Sequence, residues 1–199
     1  MISDEEKVKI LFSKIGLESL SFDKKEINVA QTPDFKVFKN DQLLFFCEVK
    51  SIAQDDWLDK QLESAPPLTI VGGFRNDPVF NRLSNKIHEA VSQFDSVNPS
   101  LNYPNVLVFL NHNDEDSCGY IDLLGVITGF AQIEKGHRLN IYTKYSEGRI
   151  KYEKARANLY IWITEKGETY YLFNKDNKHY SDLCAYFGKD PDAMKKIVA

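Results

Sequence analysis

The apolar positions of this chain fall first at helical spacing, then at strand spacing, and the alternation outlines a mixed α/β order. From Ser3 to Ile15, Val8, Leu11, Phe12 and Ile15 recur on one helical face. Ser3 with Glu6 three residues later forms a capping-box start, and Gly16 closes the helix. Phe35–Phe38 and Leu43–Val49 read as two strands joined at Lys39-Asn40-Asp41-Gln42, because Asn and Asp tolerate the positive φ of a tight hairpin. The second of these, LLFFCEVK, is apolar on both faces up to Cys47, as in a central, covered strand.

Further along, a short helix is predicted from Asp55 to Ser64, ended by Pro66-Pro67, with a strand at Leu68–Val71 and a loop through Gly72-Gly73. Phe80–Phe94 carries a strong helical stripe of Leu83, Ile87, Ala90, Val91 and Phe94. Asn105–Leu110 is a buried-type strand, Tyr120–Phe130 an apolar helix, and Asn158–Thr164 with Thr169–Phe173 a late β-hairpin. The tail beyond Ser181 is partly helical. With 199 residues, no repeat and no low-complexity linker, the pattern predicts a single α/β domain over 1–199.

Composition narrows the function classes. A 43% hydrophobic share supplies a core, and 27% charged residues are ordinary for a globular chain. The net charge of -4 counts against a protein that grips nucleic acid non-specifically, since phosphate neutralisation supplies most of that affinity. The charge is uneven: from Ile133 to Arg156 seven basic residues (Lys135, Arg138, Lys144, Arg149, Lys151, Lys154, Arg156) face three acidic ones. Two readings stand for that stretch, a solvated basic face or a phosphate-tracking surface. Cys47, Cys118 and Cys184 are odd in number and widely spaced, which argues against a disulfide framework or structural zinc. Without a signal-like start or a long apolar run, a cytoplasmic protein with no membrane partner is expected.

Charged side chains on the first hairpin carry the candidate chemistry. Asp34 precedes its first strand, while Glu48 and Lys50 lie at the far end of its partner, two apart and so on one face. In an antiparallel hairpin turning at Asn40-Asp41, the start of one strand lies beside the end of the other, which brings Asp34 to Glu48. Two carboxylates suffice to hold Mg²⁺, which keeps several waters and takes substrate oxygens. A lysine beside them orients an attacking water and offsets transition-state charge. Each piece also has a plainer reading: Asp after Pro as a turn element, and Glu48 with Lys50 as a surface ion pair.

The segment TPDFKVFKNDQLLFFCEVK resembles the PD-(D/E)XK nuclease superfamily, with Pro33-Asp34 and Glu48-Val49-Lys50 matching the two halves of its motif. The resemblance covers about residues 3–110, with 111–199 as a C-terminal elaboration. It implies a restriction-endonuclease-like αβββαβ core with a mixed central sheet flanked by helices, plus a C-terminal β-hairpin extension. It also implies Asp34 and Glu48 as metal ligands and Lys50 as the catalytic lysine. An acidic residue from the first helix is expected at the site, Glu6 ahead of Glu5, although both also suit the helix dipole. Gln93, near Lys86 and Glu89 on one side of the Phe80–Phe94 helix, is a further candidate, though the related Gln-xxx-Tyr pattern is incomplete because Val97 stands in the last position. His88 on that helix reads as a surface residue.

The expectation is therefore a nuclease dependent on Mg²⁺, with Mn²⁺ as a plausible substitute. It would hydrolyse phosphodiester bonds in nucleic acid, expected to be DNA, as a possible homodimer. The alternative is an inactive nuclease-fold protein serving as an interaction module. No GxSxG, GxGxxG or P-loop pattern points to another chemistry.

Overall fold

A computed structural model describes residues 2–23, 26–27, 31–53, 57–70, 79–113, 118–128, 130–133, 137–140 and 143–192, with backbone alone for 57–59, 130–133, 137–140 and 143–149. The elements in chain order are α1 (Asp4–Ser13), β1 (Glu18–Ser21), β2 (Phe35–Lys39), β3 (Gln42–Ile52), α2 (Trp57–Ser64), α3 (Val79–Val97) and β4 (Asn105–Asn111). They continue with α4 (Tyr120–Thr128), β5 (Phe130–Ile133), β6 (His137–Asn140), α5 (Thr143–Arg156), β7 (Leu159–Ile163), β8 (Thr169–Phe173) and α6 (Tyr180–Tyr186). The fold is α/β around one open six-stranded sheet of order β1-β2-β3-β4-β7-β8, with β5 and β6 paired separately.

The sheet is mixed. β1, β2 and β3 run antiparallel, β3, β4 and β7 run parallel, and β8 returns antiparallel to β7. The β2–β3 turn forms because Asn40 and Asp41 adopt φ of 50° and 61°, the left-handed pair that matches strand twist. The register slips between Val37 and Phe38, leaving Leu44 as the extra residue of a bulge. From there the pairing runs to Phe35 opposite Cys47, which fixes where Asp34 meets Glu48.

Both sheet faces are covered, so the central strands are mostly apolar on both sides. One face carries Phe45, Cys47, Val49, Val106, Val108 and Ile161 against Val8 and Phe12 of α1 and Leu183 of α6. Phe12 meets Phe45 edge to face at 5.6 Å. The other face carries Phe46, Leu107, Phe109 and Trp162 against the Leu83, Ile87, Ala90, Val91, Phe94 stripe of α3. Each fully buried Val, Leu, Ile or Phe among them contributes roughly 1.5–3 kcal/mol. Glu48 and Lys50 break the apolar run on this second face, between Phe46 and Ile52. Beyond α3, Asn98 donates to Asn105 Oδ1 at 2.9 Å and the Asn105 amide donates to Asn158 Oδ1, so buried amides pin the helix end to β4 and β7.

Three expectations change. Leu68–Val71 is not a strand over its described part: Leu68 has φ of 65° and the Thr69 amide turns back onto Pro66, leaving Leu68 and Ile70 exposed, while Val71 lies outside the described residues. The third antiparallel strand is instead β1, four mostly exposed residues without an apolar alternation to announce it. The Tyr120–Phe130 helix stops at Thr128, and Phe130 opens β5. The helix expected over Asp55–Ser64 is present over its described part, Trp57–Ser64, and the Gly72-Gly73 loop and residues 54–56 lie outside the described residues. The C-terminal hairpin β7–β8 completes the main sheet. No helix among the described residues is long and apolar enough to cross a membrane.

Candidate functional site

The site begins where the β2–β3 ladder ends. Pro33 has no N–H to continue the ladder, and side chains take over. The Asp34 amide donates to Glu48 Oε2 at 3.0 Å, and the Val49 amide donates to Asp34 Oδ2 at 2.7 Å. Each carboxylate is thus held by the opposite strand's backbone or cap, across 14 and 15 positions of sequence. The two carboxyl groups lie within hydrogen-bonding reach of each other.

Their electrostatics follow from depth. Glu48 is only 2% exposed. Burial, followed by the charge of Asp34, raises its pKa from 4.5 to about 7, against the opposing pull of Lys50. Burial also raises Asp34, with the Val49 amide opposing and the charge of Glu5 adding to the rise. Two acids of this kind favour a shared proton, with the Lys50 ammonium opposing it.

Lys50 extends from the same face of β3 as Glu48, and its Nζ lies 2.9 Å from Glu48 Oε1. It also donates to Gln93 Oε1 at 3.0 Å and stands 3.7 Å from Glu89 Oε2. Gln93 in turn donates from Nε2 to the Thr32 carbonyl at 3.1 Å, just upstream of Asp34. Packing of the α3 stripe against the sheet turns Gln93 and Glu89 toward Lys50. The amide therefore fixes both the ammonium and the approach to β2.

Asp34, Lys50, Glu89 and Gln93 line one open cleft of about 830 Å³. Glu5 of α1 lines it too, whereas Glu6 does not: its side chain is 54% exposed and faces Lys9 at 3.9 Å. Of the residues singled out in the sequence, the structure brings Asp34, Glu48, Lys50 and Gln93 into one chain of contacts and leaves Glu6 outside it. His88 also lines the cleft. Much of the basic Ile133–Arg156 stretch falls on residues without described side chains, and Arg156 is committed to Asp95, to which its Nε donates at 2.6 Å.

A second polar cluster had no local signal in the sequence. Asp4, at the start of α1, accepts from Ser51 Oγ and bonds His112 Nε2 at 2.7 Å, joining residues 47 and 108 positions away. Burial opposes ionisation of Asp4, but the bonds from Ser51, His112 and Lys7 outweigh it and hold the pKa near 2. Because Ser51 donates to Asp4 rather than to His112, the arrangement does not activate the hydroxyl as a nucleophile. Its evident effect is to tie α1 to the ends of β3 and β4.

The donor set at Asp34 and Glu48 suits a hard divalent cation: two adjacent carboxylates, with an open cleft for water and substrate oxygens. It is not a closed cage, as no group of three or more His, Cys, Asp or Glu side chains converges among the described residues. Cys47, next to Glu48, is fully buried and its thiol is raised by burial, so it adds no thiolate. The chain matches no family model, no curated protein and no solved structure.

Proposed function

We propose that this protein is a divalent-metal-dependent nuclease hydrolysing phosphodiester bonds in DNA, built on the PD-(D/E)XK plan. The observation that carries the reading is the pairing of Asp34 and Glu48, each carboxylate accepting from a backbone amide across the hairpin, beside the anchored ammonium of Lys50. The order of helix, three antiparallel strands, helix and parallel strand in α1-β1-β2-β3-α3-β4, with α2 inserted, supports the family assignment.

Asp34 and Glu48 would hold Mg²⁺, or Mn²⁺ in its place. The ion, when bound, supplies Lewis acidity, lowering the pKa of a coordinated water and offsetting charge on the phosphoryl oxygens. Lys50 holds the attacking water and faces the charge that develops on the phosphate. Gln93 keeps Lys50 in place, and Thr32 keeps Gln93 in place. Glu5, at the mouth of the cleft, adds negative potential that favours a cation there.

The test is cleavage of supercoiled plasmid, single-stranded DNA and RNA in Mg²⁺, Mn²⁺ or chelator, with Glu48→Ala and Lys50→Ala beside the unmodified chain. Metal-dependent DNA cleavage that both substitutions abolish is the expected result. Cleavage indifferent to chelator, or surviving both substitutions, contradicts it. Binding without cleavage by the unmodified chain selects the interaction-module alternative.

A further inference from the structure

Opposite the carboxylate pair, the cleft is lined by α3, and one residue there has a partner that its exposure does not explain. The His88 side chain is 74% exposed, yet its Nδ1 lies 2.7 Å from Oε1 of Glu153, whose side chain is only 5% exposed. Glu153 comes from the second half of α5, beyond a kink at Ile150. Its carboxylate has no other hydrogen-bond or ion-pair partner among the described residues. A carboxylate sunk this far is costly unless a donor meets it. An imidazole N–H meets that need, and Nδ1 is the ring nitrogen placed to donate to Glu153.

That bond fixes the ring. With Nδ1 turned to Glu153, Nε2 is the free edge, on a residue that lines the same cleft as Asp34, Lys50 and Gln93. The Glu153 carboxyl behind the ring holds it in one orientation, as a carboxylate does for the histidine of a hydrolytic triad. The cleft thus has water-activating groups on the sheet side and an oriented imidazole on the helix side.

On the reading of the site as a phosphodiesterase, we propose that His88 is the proton donor to the leaving oxygen and that Glu153 is its positioning residue. The water oxygen bonds to phosphorus as the bond from phosphorus to the bridging oxygen breaks. The electron pair of that bond stays with the leaving oxygen, which takes the proton from His88 Nε2. The proton released by the attacking water passes to solvent, and the imidazole regains one from solvent before the next turnover.

The test compares two oligonucleotides in Mn²⁺, one with an ordinary scissile phosphodiester and one with sulfur in the leaving bridging position, whose thiolate departs without a proton. His88→Asn retains an amide donor near the Nδ1 position, so the bond to Glu153 and the α3–α5 contact persist while Nε2 is lost. Its cleavage of the oxygen substrate should fall on the order of 10²-fold or more, the usual contribution of a general acid. Cleavage of the sulfur substrate should stay within about twofold of the unmodified chain, and affinity for uncleaved oligonucleotide in Ca²⁺ should be unchanged. Glu153→Gln should show the same selective loss at about 10-fold, and Lys50→Ala should lose both substrates. Wild-type rates for His88→Asn on the oxygen substrate, or an equal loss on both substrates, overturn the assignment. Failure of the unmodified chain to cut either substrate removes the phosphodiesterase reading and this inference with it, whereas the other results leave that reading standing.

Discussion

Lys50 Nζ donates to Gln93 Oε1 at 3.0 Å, joining the end of a central strand to a helix 43 positions later in the chain. This contact makes the position of the ammonium a property of the fold. Without it, Glu48 and Glu89 are the ion-pair partners left to Lys50 among the described residues, and the ammonium moves with a flexible four-carbon stem. Gln93→Ala should lower the rate of DNA cleavage about 10–100-fold, the usual effect of losing a partner that orients a site group. Thermal unfolding should change little, because Gln93 is half-buried and outside the apolar stripe. Single-turnover rates beside melting curves check both halves.

The closeness of Asp34 and Glu48 is a stored cost in the metal-free protein. In Asp34→Asn the amide oxygen still accepts from Val49, and the amide N–H donates where a shared proton would sit. The substitution should therefore raise stability in chelator by about 1 kcal/mol, or roughly 2–4 °C for a chain of this size. It should also lower cleavage by 10²-fold or more by removing a ligand charge. Calorimetry in chelator with a cleavage assay tests the pair; a variant that is both less stable and fully active contradicts it.

The burial of Glu48, with the charge of Asp34 beside it, sets a pH dependence. Glu48 has a folded pKa of about 7 against an ordinary 4.5, so between these values the folded chain holds a proton that the unfolded chain has released. Its contribution to stability is complete below about pH 4.5 and is lost as pH rises through about 7. The loss is on the order of a few kcal/mol. Urea midpoints in chelator should be lower at pH 8 than at pH 5.5, and Glu48→Gln should shrink the difference. Equal midpoints for the unmodified chain would show that Glu48 is not desolvated as described.

The hairpin turn offers a control remote from the chemistry. Asp41 has φ of 61°, a region where a side chain is strained and glycine is not. Asp41→Gly should stabilise the protein by roughly 0.5–1 kcal/mol, since Asn-Gly is the favoured pair for this turn. Activity should be unchanged, because the register from Phe35 to Cys47 is fixed by pairing on both sides of the bulge. Urea denaturation reads the first effect and the plasmid assay the second.

Local signals made much of this legible in advance. Ser3 as a cap, Asn40-Asp41 as a tight turn, the α3 stripe and the covered β3 strand each depend on neighbours within a few residues, and each appears where the pattern placed it. The meeting of Asp34 with Glu48 followed because a hairpin turns sequence distance into adjacency. What was hidden rests on long-range packing. β1 is a short exposed edge strand stabilised by pairing with β2, and its sequence has no alternation to read. Glu5 rather than Glu6 lines the cleft because the buried face of α1, set by Val8 and Phe12, decides which acid turns inward. The His88–Glu153 bond spans 65 positions, and His88 alone looks like any surface histidine.

Titration of Mn²⁺ into the protein by calorimetry tests whether Asp34 and Glu48 together hold a divalent cation. The unmodified chain should bind saturably with competition by Mg²⁺, and the heat should be lost in both Asp34→Asn and Glu48→Gln. Lys50→Ala should retain binding, because removing the ammonium frees Glu48 Oε1 for the ion. Equal binding by the unmodified chain and both carboxylate variants, or no binding by the unmodified chain, would show that the pair does not hold the ion.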